Sequence, residues 1–109
     1  MKRSHDLWIK KEAEIYTIGM TPELQDEVGE IGFAALAECG PIEVDGELAD
    51  LEASKMVVAV PSPLKGVIVE RNSEVEERPS LLNSTKTSEN WLVKMTAVDE
   101  TFFNQLPNN

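Results

Sequence analysis

Leu51-Glu52-Ala53-Ser54-Lys55-Met56-Val57 is the stretch whose reading decides the fold. The runs Leu48 to Ala53 and Met56 to Val60 read as strands, and only Ser54 and Lys55 are left to turn the chain. A two-residue tip between apolar strands reads as a hairpin. A lysine at such a tip points its amine away from the core, as an enzyme that modifies lysine requires. Taken alone, the hairpin is read more simply as a turn with a solvated charge, since turns tolerate lysine while preferring Asn-Gly or Asp-Gly.

On either side the chain shows short strands with turn signals between them. Leu7 to Lys10 and Glu14 to Ile18 predict an opening hairpin around Lys11-Glu12-Ala13. Thr21-Pro22-Glu23-Leu24 predicts a helix start: a threonine cap, a proline at the first helical position and an acid in the first turn. About two turns follow, and Gly29 stops them. Ile31 to Leu36, Gly66 to Glu70 and Trp91 to Thr96 read as further strands. Val75 to Arg78 reads as a helical turn ended by Pro79, and Ser80 to Asn90 as a polar connection. Asp99 predicts the cap of a short amphipathic helix with Phe102, Phe103 and Leu106 on one face. Strands this short and close argue for a mainly β fold, a small barrel or sandwich with short peripheral helices. The length, 109 residues, predicts one domain over 1–109.

Composition narrows the function. Ten basic residues against 20 acidic ones give a net charge of −10. Nucleic acids repel such a surface, whereas basic patches on partner proteins attract it. No run approaches the roughly 18 apolar residues that span a bilayer. The lone Cys39 has no internal disulfide partner and no cationic neighbours, so it reads as structural. The expectation is a monomeric cytoplasmic protein that binds neither nucleic acid nor membrane. Classical catalysis finds little footing. His5 is the only histidine and lies in a terminus expected to be mobile, and there is no Cys/His cluster for a metal. Carboxylate pairs such as Glu27/Glu30 and Glu76/Glu77 read as solvated faces in so acidic a chain. The aromatic residues Trp8, Tyr16, Phe33, Trp91, Phe102 and Phe103 read as core. A carrier or interaction module is favoured over an enzyme.

An ordered set of motifs, from about Leu7 to Leu106, resembles the glycine cleavage system H-protein family. Ile18-Gly19-Met20-Thr21 stands where that family has Gly-Ile-Thr, and Val28-Gly29-Glu30-Ile31-Gly32-Phe33 is similar to its Leu-Gly-Asp/Glu-Ile-x-Phe. Glu52-Ala53-Ser54-Lys55-Met56 matches Glu-Ser-Val-Lys-Ala, and Pro61 to Asn72 is similar to Pro-x-Ser-Gly-x-Val-x-Glu-x-Asn. Pro79-Ser80-Leu81-Leu82-Asn83 and Trp91-Leu92 match Pro-x-Leu-Ile-Asn and Gly-Trp-Leu. The resemblance implies a barrel-sandwich hybrid of the lipoyl/biotinyl-carrier type. It implies that lipoate is amide-linked to Lys55, with Glu52 as the acid that the attaching enzyme recognises. It also implies a lipoate-protein ligase and a dihydrolipoamide dehydrogenase, or another dithiol oxidoreductase, as partners. A biotinyl carrier is the minor alternative: Met56 follows the lysine as in that class, but Ser54 rather than methionine precedes it.

Departures from the family pattern refine these expectations. Where H proteins read His-Glu-Trp, this chain reads Asp6-Leu7-Trp8, and Leu7 replaces the glutamate that holds the aminomethyl amine. Asn90 stands in place of the glycine before the late tryptophan. The resemblance is therefore closest to H-like carriers associated with a sirtuin-type ADP-ribosyltransferase and a macrodomain hydrolase. It implies a carrier outside classical glycine cleavage, ADP-ribosylated in a lipoylation-dependent manner during the oxidative-stress response. Asp26 and Glu27, on the polar side of the first helix, are the candidate ADP-ribose acceptors. The alternative is a true H protein that shuttles the aminomethyl group.

Overall fold

A computed structural model describes residues 1–108. The described residues form nine strands: β1 (Lys2–Ser4), β2 (Leu7–Glu12), β3 (Ile15–Met20), β4 (Ile31–Leu36), β5 (Gly40–Ile42), β6 (Glu47–Ala53), β7 (Val57–Pro61), β8 (Gly66–Arg71) and β9 (Trp91–Thr96). Three short α-helices, α1 (Pro22–Val28), α2 (Glu74–Glu77) and α3 (Glu100–Asn104), and a 3-10 helix over Pro79–Asn83 complete it. Every strand pair is antiparallel. The strands form a six-stranded sheet, β1-β2-β3-β9-β8-β5, and a three-stranded sheet, β4-β6-β7. This is the expected mainly β barrel-sandwich hybrid.

Alternation explains the packing of the smaller sheet. Ala34, Leu36, Ala49, Leu51 and Val60 turn inward and are buried. They meet Ile9, Ile18, Leu92 and Met95 of the larger sheet in one apolar cluster. The opposite face of the small sheet carries Phe33, Asp50, Glu52, Val57 and Ala59, all in register across the three strands or next to it.

The first helix starts as predicted: the Leu24 amide donates to Thr21 Oγ1 at 3.2 Å, with Pro22 in the first turn. Thr21 Oγ1 also donates to the Asp6 carbonyl at 2.6 Å, which fixes the helix against the β1–β2 turn. Asp99 caps α3 through bonds from the Thr101 and Phe102 amides.

Several expectations need correction. The N-terminus is ordered rather than mobile, since β1 pairs with β2 and Arg3 donates its amide to the Pro107 carbonyl. His5 is anchored too, bridging Ser4 Oγ at 2.7 Å and Asp45 Oδ1 at 2.8 Å. The polar connection after Pro79 begins with the 3-10 helix, and Leu82 is buried. Phe102 does not share the buried face of Phe103: Phe102 is 40% exposed and Phe103 only 6%. Phe33 is likewise exposed rather than core. Cys39 is exposed, so the reading of it as structural has no packing behind it. Glu76 is not a solvated acid: its carboxylate accepts from the Leu36 amide at 2.9 Å and from Arg71 at 3.0 Å.

One departure from the motif pattern, Asn90, has a packing role. Trp8 is buried, and its indole N–H donates to Asn90 Oδ1 at 3.0 Å. Asn90 in turn donates to the Ser84 carbonyl at 2.9 Å, so both buried polar groups are satisfied. Gly19 lies flat beneath the Trp8 ring, where a Cβ would collide with the indole.

Candidate functional site

The β6–β7 hairpin is built as the sequence predicts. Glu52 faces Val57 and Leu51 faces Val58 in the ladder. The Ala53 amide donates to the Met56 carbonyl at 3.0 Å, which leaves Ser54 and Lys55 as the turn residues. Both are exposed. Apolar positions on the inner face of β6 and β7 anchor the hairpin, so the tip projects from a rigid base.

The tip does not stand alone. Its backbone is clasped to the turn between α1 and β4. The Ser54 amide donates to the Glu30 carbonyl at 2.9 Å and the Lys55 amide to the Val28 carbonyl at 3.0 Å. The Glu30 amide donates back to Ser54 Oγ at 3.0 Å. Gly29 makes this close approach possible. Its φ of +83° suits glycine, and a Cβ there would collide with Ser54 Oγ.

The clasp also positions the amine. Lys55 Nζ donates to the Asp26 carbonyl at 2.8 Å. That carbonyl lies in the last turn of α1, where carbonyls lack intrahelical partners and the helix dipole favours a cation. Such a contact contributes about 0.3–1 kcal/mol at a surface, little enough for thermal motion to release the amine. The sequence pointed to an amine directed into solvent; the structure places it on the side of the neighbouring helix, still exposed.

The other predicted residues distribute as follows. Asp26 is exposed, and its backbone carbonyl, not its carboxylate, receives Lys55 Nζ at 2.8 Å. Glu27 is exposed on the same helix. Glu52 is exposed on the outer face of β6, between Phe33 and Val57. An open groove of about 610 Å³ runs beside α1, walled by Pro22, Asp26, Glu30, Ser80 and Thr85 among others. Leu7 is fully buried and pairs with Met20, so its side chain belongs to the core. Sequence reasoning named Ser54 only as a turn residue, and missed its bond to the Glu30 amide, the close approach at Gly29 and the Asp26 carbonyl. Only the positive φ of Gly29 had a sequence signal, its role as helix stop.

Charge is distributed unevenly around this region. Arg3 and Glu23 pair at 2.8 Å across β1 and α1, and the hydrogen bond from Arg3 holds the Glu23 carboxyl below its usual range. On the small sheet, a hydrogen bond with Asp50 and the nearby like charge push the Glu47 carboxyl up. Among the described residues no group of three or more His, Cys, Asp or Glu side chains forms a metal site. No helix of the described residues is long and apolar enough to cross a membrane. A primary amine on a rigid, convex tip, beside an acid three residues earlier, suits covalent attachment of an acyl arm better than it suits catalysis.

A family model described as "Glycine cleavage H-protein" matches residues 1–109. A glycine cleavage system H-like protein from Staphylococcus aureus is 44% identical over 106 residues, covering 97% of this chain and 96% of its own. The mitochondrial glycine cleavage system H protein of Mesembryanthemum crystallinum is 38% identical over 92 residues. That match covers 84% of this chain but 56% of the plant protein, so the chain spans about half the length of that relative. The crystal structure of a glycine cleavage system H protein from Mycobacterium marinum superposes with a TM-score of 0.76 at 21% identity, over 95% of this chain and 93% of that one. This last likeness concerns the fold. The family-model match and the S. aureus relative together establish that the chain belongs to the glycine cleavage H-protein family.

Proposed function

We propose that the chain is a single-domain carrier bearing lipoate in amide linkage on Lys55. The observation that carries this reading is the exposed amine on a two-residue hairpin tip, held on a clasped and rigid base. Amide formation requires the neutral amine. Lys55 Nζ loses a proton and attacks the carbonyl carbon of a lipoyl adenylate supplied by a ligase; the C–N bond forms and AMP leaves. Once attached, the dithiolane supplies thiol–disulfide exchange. The chain contributes the anchor, the Glu52 recognition acid and the rigid base. Dihydrolipoamide dehydrogenase or another dithiol oxidoreductase is the partner that reoxidises the arm.

The carrier works outside classical glycine cleavage. Leu7 supports this: a fully buried leucine offers no acceptor for a cargo amine. A sirtuin-type ADP-ribosyltransferase and a macrodomain hydrolase are the proposed regulatory partners in an oxidative-stress response. Asp26 is the favoured acceptor, because it is exposed beside Lys55 and borders the groove along α1. Glu27 is the second candidate. The reading as a true H protein is favoured by the family match over 1–109 and the mitochondrial relatives.

Glycine–bicarbonate exchange with the glycine decarboxylase separates the two. The lipoylated protein is expected to support no exchange above background; exchange at the rate of a plant H protein overturns the non-classical reading. Restoring exchange with Leu7→Glu is a poor test, because the carboxylate would be buried and the fold destabilised.

A further inference from the structure

A sheet edge with free ladder groups invites a further strand, and proteins generally blunt such edges. Three of the four outer strands here are blunted. Along β4, Asn83 Oδ1 accepts from the Ile31 amide, Glu76 accepts from the Leu36 amide, and Arg71 donates to the Leu36 and Ala37 carbonyls. Along β1, the Arg3 amide bonds to the Pro107 carbonyl, and Lys2 bridges to Asn108. Strand β5 is only three residues long and contains Pro41. Strand β7 is different. It pairs with β6 alone, and among the described residues no bond reaches its other side.

The register shows which groups are free. Ala53 and Met56 form a hydrogen-bonded pair, so along an antiparallel ladder the Leu51–Val58 and Ala49–Val60 pairs are bonded as well. The N–H and C=O groups of Val57 and Ala59 therefore point away from β6, to the open side. Val57 is 75% exposed, and Ala59 is exposed too. No charged residue lies between Lys55 and Lys65, in a chain with 28% charged residues. The open edge starts two positions after Lys55, in the same hairpin that carries the amine.

We propose that the open edge of β7 is a strand-addition site for the enzyme that acylates Lys55. The added strand carries basic side chains and pairs with Val57 and Ala59. This rests on the reading of Lys55 as an acylated lysine. Main-chain bonds would supply affinity, and alternate side chains specificity. The chemistry of the occupant follows from the outer face of the small sheet. There Phe33, Glu52 and Val57 form one cross-strand row, with Asp50 and Ala59 in the next exposed row. An added strand lies beside an apolar strip backed by acids, which favours apolar contacts flanked by lysine or arginine. A second copy of this chain is a poorer occupant, because pairing β7 with β7 brings together two acidic faces of molecules with a net charge of −10.

Proline tests the edge selectively. The amide of Ala59 faces outward, so Ala59→Pro removes an outward donor without breaking a bond to β6, as edge prolines do. Acylation is measured with purified lipoate-protein ligase, lipoate and ATP, by intact mass against time. Ala59→Pro is expected to lower kcat/KM at least tenfold while circular dichroism keeps the native spectrum; Ala59→Ser, which keeps the amide, is expected to match the wild type. Ala59→Pro acylated at the wild-type rate overturns the proposal. Should Ala59→Pro fail to fold, amide exchange on the Lys55→Arg protein decides. Val57 and Ala59 are expected to exchange rapidly alone and to be protected when ligase is added, and unchanged exchange overturns the proposal. A dimer of the free carrier that protects the same amides overturns the choice of occupant. Absence of acylation in the wild type itself sinks the reading of Lys55 instead.

Discussion

Gly29→Ala tests whether the clasp holds the hairpin tip. At this position φ is +83° and ψ −160°, a region used almost only by glycine. Forcing alanine into such a region costs on the order of 1–3 kcal/mol. The added methyl also collides with Ser54 Oγ and comes within 3.1 Å of Lys55 Cγ. Overpacking of that kind costs about 1–3 kcal/mol more. Relief by moving the tip breaks the bond from the Glu30 amide to Ser54 Oγ and the pairing of Lys55 with Val28. A total of about 3 kcal/mol corresponds to a melting temperature lowered by roughly 12–20 °C for a domain of this size. Thermal unfolding by circular dichroism reads the first effect, and the rate of lipoylation reads the displaced tip. Gly32→Ala is the control, since its Cβ would meet only the Glu52 carbonyl at 4.0 Å, and it should stay within about 0.5 kcal/mol of the wild type. A Gly29→Ala protein that melts within about 2 °C of the wild type refutes the clasp.

Asn90→Ala strands the buried Trp8 indole N–H and is expected to cost about 1–3 kcal/mol in urea unfolding. Glu76→Ala removes the acceptor for the Leu36 amide and the partner of half-buried Arg71; a loss of about 1.5–3 kcal/mol is expected in the same assay. Glu47→Gln probes the Glu47–Asp50 pair by pH. The folded state raises the Glu47 pKa, so the native protein binds the extra proton more tightly than the unfolded chain. The penalty is therefore fully present above the raised value and disappears below the ordinary value of 4.5. Glu47→Gln is expected to raise the melting temperature at about pH 7 and to leave it unchanged at about pH 3; equal gains at both would contradict the pairing.

Local chemistry made much of this fold legible. The Lys55 hairpin could be read because two apolar runs left only Ser54 and Lys55 between them. Thr21, Pro22 and Gly29 marked α1, and Asp99 marked α3, because caps act on neighbouring amides. What escaped depends on distant residues. The order of the N-terminus comes from β1 pairing and from His5 and Asp6 at positive φ, for which these residues carry no strong signal. Phe33 looked like core because period-two alternation does not say which face is inside, and its partner across the sheet is the exposed Glu52. Glu76 looked solvated because its partners, Leu36 and Arg71, lie outside its helix, on β4 and β8. The site divides in the same way. The spacing of apolar runs marked Lys55 only as a hairpin tip, and the roles given to Lys55 and Glu52 come from the family resemblance, whereas the Asp26 carbonyl that receives the amine is a backbone group with no sequence signature.

The central claim is a lipoyl arm on Lys55. Intact mass spectrometry of the wild type and Lys55→Arg, each incubated with lipoate-protein ligase, lipoate and ATP, tests it most directly. The wild type should gain the mass of one lipoyl group and Lys55→Arg none. An unchanged wild-type mass, or an equal gain in Lys55→Arg, would contradict it.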